Sequence, residues 1–326
     1  MPDTAGKSLK RRRAPAETTN HHDDGHHPAA TPPRQETDQQ QDTRGDSPRS
    51  SRRGTRHALH AARSLLALVI IVVSASSAAA QVPQPVAVPA PPQPEFFPRY
   101  DFHLTASSLL LDQDPLQRYS WDAHFGGSVD LADYVGGRLS VTADYHAVLG
   151  SELRAFDPNQ GNYTLEGTAS GRAGHTEFVG VFHHVSRHLS DRPKRPAVAW
   201  NTVGGRVLHR LTLGATTIDA DLDLAWVTQR GFVDYTWIGS LDLQVRHDVT
   251  SHVGLFAHAS GQLYNVDELV ARRSVQLGGV AEAGIRLRGT AGVIELFAGI
   301  ERRVDAYPTE RTAEHWGLAG FRLLSR

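Results

Sequence analysis

The chain has 326 residues, with 34 basic against 35 acidic side chains, a formal net charge of -1 and no cysteine. That balance carries no electrostatic footprint for nucleic acid, and the absence of cysteine excludes a disulfide scaffold, a thiolate-ligated metal and thiol catalysis. No apolar run reaches the roughly 20 residues of a spanning helix, yet such a composition suits a membrane protein in which every second residue faces water.

Residues 1–60 are rich in Arg, Pro, Asp, Gln and His with almost no large apolar side chain. Such a segment cannot bury enough surface to offset its ordering entropy, so it reads as a disordered leader. Its His21, His22, His26 and His27 read as part of a solvated tail rather than as a metal site. Residues 61–80 follow another pattern. Arg56 and Arg63 flank an apolar core from Ser64 to Val73, and small residues lead to Ala80 and Gln81. This is the layout of a secretory signal peptide, with cleavage expected after Ala80; an uncleaved inner-membrane anchor is the alternative. The long stretch ahead of it reads either as an extended leader or as a start assigned too far upstream. Residues 81–98 form a Pro-rich, stiff linker.

From residue 99 to residue 326 the dominant period is two. Ala220, Leu222, Leu224 and Trp226 share one face of a run whose other face carries Asp219, Asp221 and Asp223. The runs from Tyr235 to Val245 and from Val275 to Leu287 alternate in the same way, which is the pattern of half-buried strands. Similar runs predict strands at 99–111, 119–132, 137–149, 161–172, 175–187, 198–210, 216–228, 234–247, 251–264, 273–287, 292–303 and 313–324. Their length suits tilted strands crossing a bilayer, and short Gly-containing turns alternate with the longer polar loops 150–160, 188–197, 265–272 and 304–312. Trp121, Trp200, Trp226, Trp237 and Trp316 all fall at the loop-side strand ends, as an interfacial aromatic girdle would. The fold class predicted is all-β: a transmembrane, antiparallel, up-and-down β-barrel of about 12 strands in the bacterial outer membrane. Its partners are then outer-membrane lipids; oligomeric state is left open.

One face of these strands carries Asp122, Asp130, Asp144, Glu166, Glu282 and Glu295 together with Arg138, Arg172, Arg206, Arg246 and Arg286. Interleaved charges of both signs predict ion pairs that fill the lumen rather than line a wide pore. The mid-strand pairs Gly126-Gly127, Gly204-Gly205 and Gly278-Gly279 read as relief of crowding or curvature, not as phosphate loops. Asn162 to Thr164 matches a glycosylation acceptor, which carries little weight in a bacterial protein.

The segment that points to chemistry runs from His183 to Asp191. His184, Ser186 and His188 lie on one strand face, and Asn201 opens the next strand on the same, lipid-directed side. A Ser beside a His with an Asn in reach is a nucleophile, base and orienter set, placed where an outer-leaflet lipid ester would lie. Successive same-face residues are roughly 6.5–7 Å apart, so the side chains must lean together to bond. His-x-Ser followed by Trp200-Asn201 on the next strand resembles outer-membrane phospholipase A. That resemblance implies about twelve strands, a Ser-His-Asn set at Ser186, His184 and Asn201, and possible use of calcium. His188 with Ser190 forms a second His-x-Ser and is the alternative pair. The lipid A deacylase barrels are similar in using a His-x-Ser. The longer string His184-x-Ser186-x-His188-Leu189-x-Asp191 resembles more closely a family of outer-membrane barrels of no known activity. The Asn-Gly that follows Ser in the phospholipase motif is replaced by Arg187-His188, which alters the oxyanion and calcium arrangement. Two functions are thus expected: an outer-leaflet lipid acyl hydrolase, or a non-enzymatic barrel serving as a structural protein or narrow channel.

Overall fold

The computed structural model describes residues 85–190 and 196–325. The leader, the signal peptide with its cleavage point, the start of the linker and Asp191 lie outside the described residues. The strands are β1 Glu95–Leu110, β2 Trp121–Asp133, β3 Arg138–Gly150, β4 Asp157–Ala173, β5 Thr176–Leu189 and β6 Val198–Leu213. They continue as β7 Thr216–Gly231, β8 Tyr235–Asp248, β9 Val253–Val266, β10 Gln276–Arg288, β11 Gly292–Arg303 and β12 Glu314–Ser325. Every neighbour in sequence pairs antiparallel, and β1 closes on β12, from His103 opposite Leu324 to Leu110 opposite Gly317. The sequence therefore places every strand, with ends that move by a few residues; β1 begins at Glu95 rather than at residue 99.

Short connections gather at one end of the barrel. Gly174 (φ 62) and Gly214 (φ 60) each open a two-residue hairpin loop, where a left-handed backbone matches the strand twist and glycine adopts it without strain. The long connections gather at the other end. One of them holds a single turn of helix, α1 Glu268–Ala271, capped by the Asp267 side chain. No helix among the described residues is long and apolar enough to cross a membrane, which says nothing about a barrel that crosses with strands.

The alternation sorts the side chains cleanly. Phe178, Leu222, Leu241, Leu255 and Ile300 stand on the outer wall, each about half exposed or more to whatever surrounds the barrel. The inner wall is polar and packed. All the inward charges expected from the sequence are inside, and they pair. Arg206 grips Glu166 at 2.8 Å and Asp223 at 3.0 Å, while Arg322 bridges Glu282 at 2.6 Å and Glu295 at 2.8 Å. Arg138 reaches Glu177 at 2.9 Å and Asp130 at 3.4 Å, and Arg172 meets Asp133 at 2.7 Å. Such buried pairs contribute little net stability, but losing one partner strands a charge and costs about 3–5 kcal/mol.

Both ends of the lumen are occupied. At the turn end Ala87 packs among Val179, Val181 and Leu208, and the Val86 carbonyl accepts from Arg138 at 2.9 Å, so these two residues of the Pro-rich segment lie inside the wall. At the loop end the β11–β12 connection folds inward. Ala306 is fully buried and its carbonyl accepts from Arg187 and Gln160 at 3.0 Å each. Arg273 clasps Asp234 and Asp305 at 2.6 Å each from the loops. Burial opposes ionisation of Asp234, but the Arg273 guanidinium outweighs it and holds the carboxyl below its ordinary range.

Two expectations are corrected. Only Trp121, Trp226 and Trp237 stand on the outer wall; Trp316 is 3% exposed, tilted against the Tyr119 ring and hydrogen-bonded to Asp112, and Trp200 meets the buried Tyr235 edge-on. The girdle is a partial one because strand parity, not position along the strand, decides which face an indole takes. Tyr235 also turns inward, against its parity with Trp237, because the β8–β9 register shifts between these two residues. Its hydroxyl donates to Asp305 at 2.6 Å.

An even-stranded, closed barrel with a charged interior and an apolar exterior is a transmembrane barrel of the bacterial outer membrane. Leu241→Arg, near the middle of β8, should destabilise the folded barrel by about 2–4 kcal/mol in a reversible lipid-vesicle titration. An unchanged stability would contradict the assigned outer face.

Candidate active site on the outer wall

The upper halves of β4, β5, β6 and β7 present a polar patch on an otherwise apolar wall. The ladder places Tyr163 opposite Ser186 and Leu165 opposite His184 on one side of β5. On the other side His184 faces Asn201 and Ser186 faces Ala199. Phe182 below His184 and Val203 below Asn201 are both about half exposed, so the patch continues the lipid-directed face as expected. His183 and Arg187, of opposite parity, point inward toward Glu166 and the Asp305 and Ala306 carbonyls.

Within the patch His184 Nδ1 lies 2.6 Å from Asn201 Oδ1. An amide oxygen only accepts, so His184 carries its proton on Nδ1 and leaves the Nε2 lone pair available. Asn201 Nδ2 in turn donates to Gln229 Oε1 at 2.9 Å, which fixes the amide's orientation. Ser186 Oγ lies 2.8 Å from His188 Nε2, and the His188 ring meets Tyr163 edge-on with centroids 5.5 Å apart.

The residues expected from the sequence are thus brought together, but paired differently. Ser186 bonds His188, not His184. The reason is the ladder: His184 has a polar partner directly across the hairpin, whereas Ser186 faces the methyl of Ala199 and turns along its own strand. Ser190, the other member of the alternative pair, follows the end of β5 at Leu189, and its N–H donates to the Asn159 carbonyl at 3.0 Å. Gln229 and Tyr163 were not foreseen. Gln229 reaches Asn201 because the β6–β7 register shifts between Asn201 and Thr202, which leaves Thr228 without a cross-strand position.

No family model matches the sequence, and no curated protein is similar to it in sequence. Solved structures similar in shape include the calcium-bound dimer of outer membrane phospholipase (OMPLA) from Salmonella typhi, at 10% identity over 69% of this chain and 90% of that one, with a TM-score of 0.43. Outer membrane phospholipase A from Escherichia coli gives 10% identity, 69% and 92% coverage and 0.44. The translocator domain of the autotransporter NalP from Neisseria meningitidis gives 12%, 82% and 95%, and 0.32. Likeness this slight says nothing of activity, so the chemistry rests on the side chains themselves.

If Asn201 sets the His184 tautomer, nitrogen NMR of labelled protein should show the Nδ1–H form in the wild type. Asn201→Leu should shift the ratio toward the Nε2–H form by about 2- to 10-fold, the worth of one net hydrogen bond. An unaltered ratio would show that Asn201 does not orient the ring.

Proposed function

We propose that this barrel is an outer-leaflet lipid acyl hydrolase whose nucleophile is Ser186. The observation that carries the reading is the 2.8 Å contact between Ser186 Oγ and His188 Nε2 on the outward face of the wall. A serine hydroxyl is a weak nucleophile until a base takes its proton, and here an imidazole nitrogen sits at bonding distance. In the proposed cycle Oγ attacks the lipid ester carbonyl while its proton passes to His188. The tetrahedral intermediate collapses as His188 returns the proton to the departing alcohol. Water, deprotonated by the same imidazole, then releases the fatty acid. His184, held by Asn201 and Gln229 with Nε2 open, is the second imidazole beside Ser186 and the base in the arrangement expected from the sequence.

Calcium takes six to eight oxygen ligands, usually with carboxylates among them. The described hydrogen-bond partners of Ser186, His184, His188 and Asn201 include no carboxylate. These side chains alone do not fit the ion, and no step of the cycle is routed through it.

The second reading is a structural barrel without catalysis, favoured over a channel by the ion pairs that occupy the lumen. Purified, refolded protein assayed on phospholipid and on lipopolysaccharide, with and without calcium, separates the two. Ser186→Ala should abolish hydrolysis, and His188→Ala should lower kcat by about 10²–10⁴-fold, with barrel assembly intact in both. If His184→Ala is the damaging change and His188→Ala is not, the base is His184 with Asn201 behind it. No hydrolysis by the wild type on either lipid would leave the structural barrel standing.

A further inference from the structure

Inside the barrel, below the loop end, β2 and β3 place three ligand-type side chains against one another. His124 lies directly opposite His146 in the ladder, and their rings stack at 4.0 Å with planes 9° apart. Both Nε2 atoms converge on the Asp122 carboxylate, His146 on Oδ1 and His124 on Oδ2, the latter at 3.3 Å. Asp122 and His124 are buried to 1% exposure or less. We propose that Asp122, His124 and His146 form a divalent-cation site of the zinc class within the lumen.

The donor set is right for that class. Two imidazoles and a carboxylate are ligands that zinc takes readily, and donors about 2.0–2.1 Å from a tetrahedral ion stand roughly 3.3 Å apart. All three ligand atoms already lie within 4.8 Å of one another. The groups behind the ligands match as well. His124 turns its other nitrogen, Nδ1, to Asp144 at 3.5 Å, and Asp144 is itself held by His103 at 2.8 Å. A carboxylate behind a ligating histidine fixes the tautomer in which Nε2 is open to metal.

Asn162 supplies a separate observation. Its Nδ2 is 3.1 Å from His146 Nδ1, while its Oδ1 is buried without a hydrogen-bond partner. Asn162 is itself 6% exposed. Turning the amide over satisfies that oxygen with the His146 Nδ1 proton and hands the Nε2 lone pair to a cation. One rotation thus sets the tautomer that ligation needs, with the amide NH2 taking the partnerless position.

Charge points the same way. The groups in contact with the cluster are three carboxylates (Asp122, Asp144 and Glu301) and one guanidinium, Arg303, which bonds Asp122 at 2.6 Å and Glu301 at 2.8 Å. With the imidazoles neutral, as ligation requires, carboxylates outnumber the guanidinium around the cluster, and a dication offsets that excess. Gly126 is part of the construction: a Cβ there would stand 2.4 Å from the Ala143 carbonyl and 2.9 Å from Asp144 Oδ2, so glycine leaves Asp144 the room it needs.

Because both ends of the lumen are occupied, the ion should enter during folding and leave slowly. The test is to refold the full chain, with His21, His22, His26 and His27 changed to Gln, in the presence of zinc. The protein is then washed with chelator and its metal measured by plasma mass spectrometry. One zinc per chain is expected in this parent protein and in His258→Gln, which alters another buried histidine. His124→Gln and His146→Gln should retain less than a tenth as much. Asn162→Leu keeps all three ligands and should weaken retention about 10–100-fold. Cobalt in place of zinc should give the intense visible absorption of a four-coordinate site in the parent and not in His146→Gln. Zinc absent from the folded parent after washing, or equal in the parent and in folded His124→Gln, would overturn the proposal. If neither histidine variant folds, the Asn162→Leu comparison and the cobalt spectrum of the parent decide.

Discussion

A sheet closed on itself has no edge, so every backbone donor and acceptor is satisfied within the wall, and the period-two pleat then forces alternate side chains into a narrow interior. For a barrel of twelve strands that interior has to be filled. This chain fills it with charge. Glu166, Glu282 and Glu295 are useful there because Arg206, Arg286 and Arg322 stand within hydrogen-bonding distance of them from neighbouring or next-but-one strands. The outer wall's leucines and phenylalanines need only lipid as a neighbour. Inside, by contrast, each residue depends on several strands being in register at once, since a one-residue slip would carry a charge to the lipid face.

Filling the interior determines where function can sit. The loop between β11 and β12 tucks Ala306 into the mouth, and Ala87 packs at the opposite end, so the middle of the barrel is framed from both sides. On the outer wall β5 and β6 interrupt the apolar surface with His184, Ser186, His188 and Asn201, and the lipid chemistry proposed above would belong there. The 2.8 Å contact between Ser186 and His188 stands on that outward face.

Much of this was legible from the residues. Alternation located each strand, because the pleat writes its period into the sequence whenever one side faces lipid and the other faces charge. The inward ion pairs followed from the same parity, as did the shared face of His184, Ser186 and Asn201. What the sequence withheld depends on register. The shift beside Tyr235 turns that ring inward, and the shift at Asn201 brings up Gln229. The irregularity between Asp130 and Ala132 likewise sets His124 opposite His146. A single extra residue in one strand changes every partner beyond it, and nothing in the local composition of these strands announces it. Likewise, parity could put Ser186 beside two histidines, but only the bare methyl of Ala199 across the ladder explains why it bonds His188.

In our reading the lumen is closed by paired charge, and the proposed function belongs to the wall. Single-protein insertion into a planar lipid bilayer tests it most directly, with current recorded under an applied potential at moderate salt. The expected outcome is insertion without steady conductance above that of the lipid alone. A stable, ohmic pore from the folded wild-type chain would contradict it.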